Sequence, residues 1–219
     1  MTDNDIERVV IDQEHQKTPL TATADQIRKM YAIIEDEILP KTRLGVQDGN
    51  KVFGAAILSP TLECTLATTN AETKCPIFHG EVHCIFEWSQ LTPAAQRGPL
   101  AQSSVFLSTH EPCCMCISSI LWAGFQTLYY FFPYSVTTAQ GIPHDIQTMH
   151  ELWGVTTYRK QNKYLSSACL MDLVAALPES ADKAELLETQ QRLLDAYDQL
   201  ANQYHQEKTS NPDNSLVLG

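Results

Sequence analysis

The stretch SSVFLSTHEPCCMCISSILWAGFQTLYYFF, residues 103–132, reads as a strand, a helix and a second strand in direct succession. SSVFLSTH is a short apolar run typical of a buried strand. Pro112 suits the first turn of a helix, where its missing N–H is harmless, and Gly124 is a typical helix end. FQTLYYFF then predicts another strand. Two strands joined through a helix pair in parallel, so this stretch predicts an α/β fold.

The segments before this unit extend the predicted sheet. KVFGAAILSPTLECTLATT, residues 51–69, predicts two strands joined by a turn at Ser59 and Pro60. A helix is predicted from about His79 to Trp88. Apolar residues recur at helical spacing after Thr23, and we expect Pro40 to end that first helix.

The segments after it predict a short helix around residues 146–152, an edge strand at VTTYR, residues 155–159, and a helix at SSACLMDLVAAL, residues 166–177. The predicted fold class is therefore α/β, a mixed central sheet of about five strands with helices on both faces. The chain divides into four predicted segments: an N-terminal arm, a main domain, an amphipathic C-terminal helix and a disordered tail, at residues 1–21, 22–178, 179–206 and 207–219.

The balance of charge argues against nucleic acid as the main partner. The chain has 15 Lys and Arg against 26 Asp and Glu, a net charge of −11. Phosphate backbones are bound by clustered basic side chains, and the densest basic stretch, YRKQNKY at residues 158–164, has only three. We therefore expect a small substrate without a phosphate monoester.

The cysteines point to metal binding or catalysis. The N-terminal residues are polar and no run of about 18 apolar residues occurs, so we expect neither a signal peptide nor a membrane span. The cysteine count is seven, an odd number. In a chain of this kind that count favours a reducing, cytoplasmic location over a disulfide framework.

Two motifs can form one metal site. Cys113 and Cys116 are in a C-x-x-C arrangement at a predicted helix start, which by itself indicates either zinc or a redox pair. His79 alone would read as a helix cap or a core residue. Together the three supply the ligands of a catalytic zinc, with one position left for water. Glu81 can then carry the proton of that water to a departing amine.

This H-x-E…P-C-x-x-C pattern resembles the cytidine and deoxycytidylate deaminase superfamily, and within it the cytosine, guanine and tRNA-adenosine deaminase branch. The resemblance covers residues 22–178 and is carried by FGAAIL, HGEV, HEPCCMC with ILWAGFQTLYYFF, and AQGIPHDI. It implies the three-layer cytidine deaminase-like fold, Zn²⁺ as cofactor, a homodimer and deamination of a nucleobase-like molecule.

The resemblance also implies substrate contacts. It places an asparagine on the loop before the H-x-E helix, a position that Asn70 occupies nine residues before His79. The N–H of Gly80 would face a substrate carbonyl. The side chains expected to close the pocket are Phe132, Tyr134, His144 and Asp145. Pro143, His144 and Asp145 stand where a guanine deaminase would have two acidic residues, a departure that counts against guanine itself.

Two alternatives remain open at this stage. His83 lies four residues after His79, so both imidazoles could join the two cysteines in a closed Cys2His2 site that only stabilises the fold. The chain could instead deaminate a base within a nucleic acid, for example a tRNA adenosine. Among small substrates, HGE favours a cytosine-like ring and AQGIPHDI a purine-like one.

Overall fold

The computed structural model describes residues 16–210 and residue 216. In this part of the chain the first helical segment consists of α1, a π-helical turn and α2, which span Ala24–Ile33, Ile34–Ile38 and Leu39–Gln47. The strands β1 to β5 span Gly54–Leu58, Cys64–Thr69, Val105–His110, Thr127–Phe132 and Ser166–Cys169. The remaining helices, α3 to α9, span Gly80–Leu91, Ala94–Ser103, Cys114–Trp122, Tyr134–Ala139, His144–Trp153, Leu170–Ala176 and Ala181–Ser210.

The five strands within residues 16–210 form one mixed sheet in the order β2-β1-β3-β4-β5. β1 pairs antiparallel with β2 and with β3, whereas β3, β4 and β5 are parallel. The parallel pairing of β3 and β4 follows from the helix α5 that joins them, since such a connection returns the chain in the same direction. The predicted mixed sheet is confirmed.

Side chains that alternate along the strands fill two separate cores, one on each face of the sheet. Ala55 and Ile57 of β1 point into a core with Cys84 and Trp88 of α3, whereas Ala56 and Leu58 point to the opposite side. That second, larger core contains the apolar residues of α1, α2 and α9. Because helices cover both faces, the molecule has the three layers expected of its fold class.

The first helical segment begins where it was expected and continues further. Thr23 forms a capping box with Gln26, whose side chain accepts from the Thr23 N–H. The prediction that Pro40 ends the helix is wrong. The π-helical turn Ile34–Ile38 shifts the backbone hydrogen-bond register just before Pro40, which then stands at the start of α2. A proline is tolerated there because the first-turn N–H groups of a helix need no intrahelical partner.

The structure corrects three local predictions in other parts of the chain. The last strand is Ser166–Cys169, in register with β4, and VTTYR at residues 155–159 is outside the sheet. The run SSACLMDLVAAL therefore contains β5 and then α8, because its first half pairs with β4 before the chain turns helical. α4 was not expected, since its Gly98 and Pro99 oppose helix formation.

The C-terminal helix folds back on its own domain. α9 packs against α1 and α2 and buries one apolar stripe, made of Leu186, Leu193, Tyr197, Leu200, Ala201 and Tyr204. It extends to Ser210, so residues 207–210 belong to the helix and not to the predicted tail. Apart from residue 216, the rest of that tail lies outside the described residues.

Of the predicted arm, residues 16–21 are described, and the carbonyl oxygen of Thr21 accepts from the Tyr129 hydroxyl at 2.8 Å. None of the described helices is both long and apolar enough to span a membrane.

Candidate metal centre and catalytic site

The metal-ligating side chains predicted from sequence converge at the starts of two helices. His79 is the N-cap residue of α3 and Cys113 that of α5, both with extended backbone. α3 and α5 pack on the same face of the sheet. The donor atoms of His79, Cys113 and Cys116 all lie within 4.8 Å of one another, and Cys113 Sγ is 3.7 Å from His79 Nδ1.

This donor set fits zinc. Zn–S distances of about 2.3 Å and Zn–N distances of about 2.0 Å in a tetrahedron separate neighbouring donor atoms by roughly 3.5 Å. The 3.7 Å between sulfur and nitrogen matches that separation. Burial lowers the pKa of His79, which keeps the imidazole in the neutral form that a metal requires. Three protein donors leave a fourth position open, as in catalytic zinc sites.

His83 is directed away from these donors. Its Nδ1 lies 2.8 Å from the carbonyl oxygen of Thr69, and its ring stacks on Phe78 at 5.3 Å between centroids. Among the described residues, the group of side chains able to hold a metal contains His79 and the two cysteines without His83. The geometry therefore does not support the closed Cys2His2 site considered above.

The turn that carries Cys113 is held by ion pairing and hydrogen bonding. The Glu111 carboxylate pairs with Lys160 and accepts from the backbone N–H of Tyr134 at 3.2 Å. The Tyr134 hydroxyl donates to the carbonyl oxygen of Pro112 at 2.6 Å. Tyr134 thus braces the backbone next to a metal ligand.

Glu81 is buried in the first turn of α3, beside the metal ligands. Burial raises the pKa of its carboxyl group, so the acid form is favoured more than in water. Its Oε1 lies 2.9 Å from the hydroxyl of Ser108 on β3, and that hydroxyl is also 2.7 Å from the carbonyl oxygen of His110.

A hydroxyl has one proton, so these contacts define two arrangements. With Glu81 ionised, Ser108 donates to its carboxylate. With Glu81 protonated, the carboxyl group donates to Ser108 Oγ, and the hydroxyl turns its proton to His110 O. Both protonation states of Glu81 are therefore hydrogen-bonded without movement of the backbone.

Asn70 and Gly80 are in direct contact at the start of α3. The N–H of Gly80 donates to Asn70 Oδ1, and Asn70 Nδ2 donates to Glu72 Oε2 at 2.8 Å. Gly80 needs the absence of a side chain, since a Cβ there would be 2.7 Å from the Cα of Gly54. The predicted contact of Gly80 with a substrate carbonyl stays a prediction.

The four residues predicted to close the pocket occupy different environments. Phe132 is fully buried in the larger core, 5.4 Å from the ring of Tyr197, and Tyr134 packs with Cys114 and Met149. His144 and Asp145 open α7. Asp145 is buried, and burial together with the charge of Glu81 raises the pKa of its carboxyl group to about 8. The contact of these four side chains with a substrate stays a prediction.

Three residues of the site were not found from the sequence. Ser108 could have been suspected because it lies on a buried strand that leads into the P-C-x-x-C motif. Lys51 and Glu72 carried no such signal, since both read as ordinary exposed charges. In the structure they form a buried ion pair of 2.7 Å between Nζ and Oε1.

One family model matches the part of the chain that carries the candidate metal ligands. Residues 36–132 match the family model described as the cytidine and deoxycytidylate deaminase zinc-binding region. No significant match was found among curated proteins.

Several solved structures are similar to the chain at low identity. One is a guanine deaminase from Nitrosomonas europaea, with 15% identity, a TM-score of 0.47 and coverage of 82% of this chain and 91% of that chain. Another is a guanine deaminase from Bacillus subtilis, with 21% identity, a TM-score of 0.45 and coverage of 56% and 80%. A third comes from work on tRNA:A34 deaminases, with 14% identity, a TM-score of 0.42 and coverage of 70% and 97%.

Proposed function

We propose that this chain, whose residues 36–132 match the cytidine and deoxycytidylate deaminase zinc-binding region, is a hydrolytic deaminase of small aromatic N-heterocycles. In this reaction water replaces an amino group on the ring, which leaves a carbonyl and releases ammonia. The observation that carries the proposal is the convergence of His79, Cys113 and Cys116 with the buried Glu81 beside them. A purely structural zinc site would need no such carboxyl group.

The chain's own residues account for the proton transfers. Zinc, when bound, lowers the pKa of water to about 7 and so supplies a nucleophile at neutral pH. Glu81 would take one proton from that water and pass it to the ring nitrogen. It would then take the second proton from the hydroxyl group added to the ring, which becomes the carbonyl, and give it to the departing amine. Ser108 supports this shuttle, because its hydroxyl can donate to the carboxylate or accept from the carboxylic acid. We assign Asp145 the role of accepting a hydrogen bond from the amino group of the substrate.

A small free base or nucleoside fits the site better than a nucleic acid. The net charge is −11, and Glu72, Glu81 and Asp145 are all buried near the metal ligands. The net negative charge of the chain would repel the phosphates that flank a base in RNA or DNA. The buried carboxyl groups suit an uncharged ring that presents amino and N–H donors.

The test is a screen for ammonia release over free bases, nucleosides, aminopyrimidines, pterins and triazines, with an RNA hairpin as an additional substrate. Glu81→Gln is expected to lower turnover by about 10²–10⁴-fold while zinc stays bound. Glu87→Gln is the matched control, because Glu87 is on the exposed side of the same helix. Activity in Glu81→Gln equal to the native protein would contradict the proposal, and turnover of the hairpin alone would favour a nucleic-acid deaminase.

We also propose that the protein is a cytoplasmic homodimer. The apolar stripe of α9 is covered by its own domain, so the partner surface is elsewhere. Trp122 is 86% exposed at the end of α5, and Leu152 and Trp153 are exposed at the end of α7. The cytoplasmic location is proposed from the cysteine count, because seven, an odd number, favours a reducing compartment over a disulfide framework. A monomer by light scattering at working concentration would contradict the dimer.

A further inference from the structure

Glu72 is the centre of a buried polar cluster next to the metal ligands. Its Oε1 lies 2.7 Å from Lys51 Nζ and 3.5 Å from His79 Nε2. Its Oε2 accepts from Asn70 Nδ2 at 2.8 Å and from the backbone N–H of Lys51 at 3.3 Å. One carboxylate therefore contacts the candidate metal ligand His79, the candidate substrate-binding residue Asn70, and Lys51.

This placement calls for an explanation, because burying an ion pair is expensive. The side chains of Lys51 and Glu72 are 4% and 2% exposed. Replacing such a pair by apolar residues of similar size is often neutral or stabilising. Stability alone therefore explains the buried pair poorly. The contacts of Glu72 with His79 and Asn70 suggest that the pair also has a role in the site.

His79 can ligate a metal through Nδ1 only if its proton is on Nε2. Nδ1 faces Cys113 Sγ at 3.7 Å, whereas Nε2 faces Glu72. A carboxylate at Nε2 favours the tautomer with the proton on that nitrogen, and it also restrains the rotation of the ring. Lys51 balances the charge of the carboxylate, so no net negative charge is buried beside the ligand.

The same carboxylate orients Asn70. By accepting from Nδ2, Glu72 directs Oδ1 of the amide towards the N–H of Gly80. The loop of residues 70–79 is further tied down at its two ends, where Ala71 N–H donates to the carbonyl oxygen of Phe78 at 2.8 Å. Glu72 thus links the metal ligand and the candidate substrate subsite through one side chain.

We propose that Glu72, neutralised by Lys51, is a positioning residue that holds His79 in its metal-binding tautomer and Asn70 in its substrate-binding orientation. The inference rests on the proposed function for the use of the metal. It predicts that the pair contributes to zinc affinity as well as to folding.

The decisive variant is Lys51→Met with Glu72→Gln, which removes both charges at once and so avoids an unpaired buried ion. Zinc affinity, measured by competition with a chelator, is expected to fall by about 10–100-fold. Lys183→Met is the matched control. Lys183 is also buried and donates to Glu179 and to the carbonyl oxygens of Ala175 and Leu177, far along the chain from the site. It is expected to lower stability without changing zinc affinity.

A second measurement keeps the proposal testable even if the double variant is unstable. Long-range ¹H–¹⁵N NMR of the metal-free native protein should show the His79 proton on Nε2. A proton on Nδ1, or a zinc affinity of the folded double variant within about twofold of the native value, would overturn the assignment of Glu72. Neither readout needs turnover, so a failure of the deaminase proposal would show separately as an absence of ammonia release.

Discussion

Ser108 and His110 show how a buried strand end can serve two purposes. Ser108 contacts Glu81 and so belongs to the candidate catalytic site, whereas His110 points into the larger core. The His110 ring is enclosed by Phe53, Phe132 and Tyr197, with Nε2 3.1 Å from Gln140 Oε1. Complete burial lowers the pKa of His110 to about 3, because the apolar surroundings disfavour the charged ring.

His110 should make the protein less stable in mild acid. Its pKa in the folded state is below the unfolded value of about 6.5, so its stabilising effect is complete above pH 6.5 and is lost as the pH falls towards 3. At pH 5 the expected loss is about 2 kcal/mol relative to pH 8. The measurement is the free energy of unfolding in urea at both pH values.

His110→Gln is the comparison variant, since glutamine stays neutral over this range. Other titrating groups, including the metal ligands, contribute to both proteins and cancel in the difference. If the native protein and His110→Gln lose the same stability between pH 8 and pH 5, the role given to His110 is wrong.

At the scale of elements, the start of α3 is positioned by close backbone contact. Gly80 packs on Gly54 of β1, so the helix that carries His79 and Glu81 begins directly against the sheet. The Thr68 hydroxyl on β2 donates to the carbonyl oxygen of Gly80 at 3.0 Å. The candidate metal ligand and the proposed proton shuttle are therefore tied to rigid strands.

Gly80→Ala should disturb this contact. The added Cβ would lie 2.7 Å from the Cα of Gly54, which only a shift of backbone can relieve. We expect a loss of about 1–3 kcal/mol of stability and weaker zinc binding, measured by urea unfolding and chelator competition. Gly98→Ala in α4 is the control, since nothing lies within 4 Å of its added Cβ. It should stabilise the protein by up to about 1 kcal/mol. Equal effects of the two substitutions would contradict this packing argument.

At the scale of the whole molecule, α9 is part of the domain and not an appendage. Tyr197 of α9 contacts the rings of His110 and Phe132, so the C-terminal helix reaches the ends of β3 and β4. Arg192 pairs with Glu35 at 2.8 Å, and Arg28 of α1 pairs with Asp182 at 2.9 Å. These exposed ion pairs contribute little to stability. The apolar stripe therefore supplies most of the free energy that holds α9 on the domain.

Leu193→Ala tests that attachment. Leu193 is 1% exposed, and its truncation should lower the free energy of unfolding by about 2–5 kcal/mol, because a cavity forms between α9 and the larger core. Leu187→Ala is the control, since Leu187 is 42% exposed on the same helix. Thermal unfolding of the two variants should differ clearly, and coincident melting curves would show that α9 is not part of the cooperative unit.

The sequence by itself determined the layered α/β fold and the metal donors. Both depend on short-range patterns: the strand–helix–strand unit at residues 103–132 imposes parallel pairing, and Cys113 and Cys116 are one helical turn apart. The tertiary structure decided the partners of those donors. Lys51 meets Glu72, and Glu81 meets Ser108, only after β1, β3 and α3 have packed. Single charges and hydroxyls have no periodicity that a sequence can reveal, because their environment is created by burial. The same reason explains why Pro40 lies within a helical segment, since the π-helical turn before it is held by the core on which it packs.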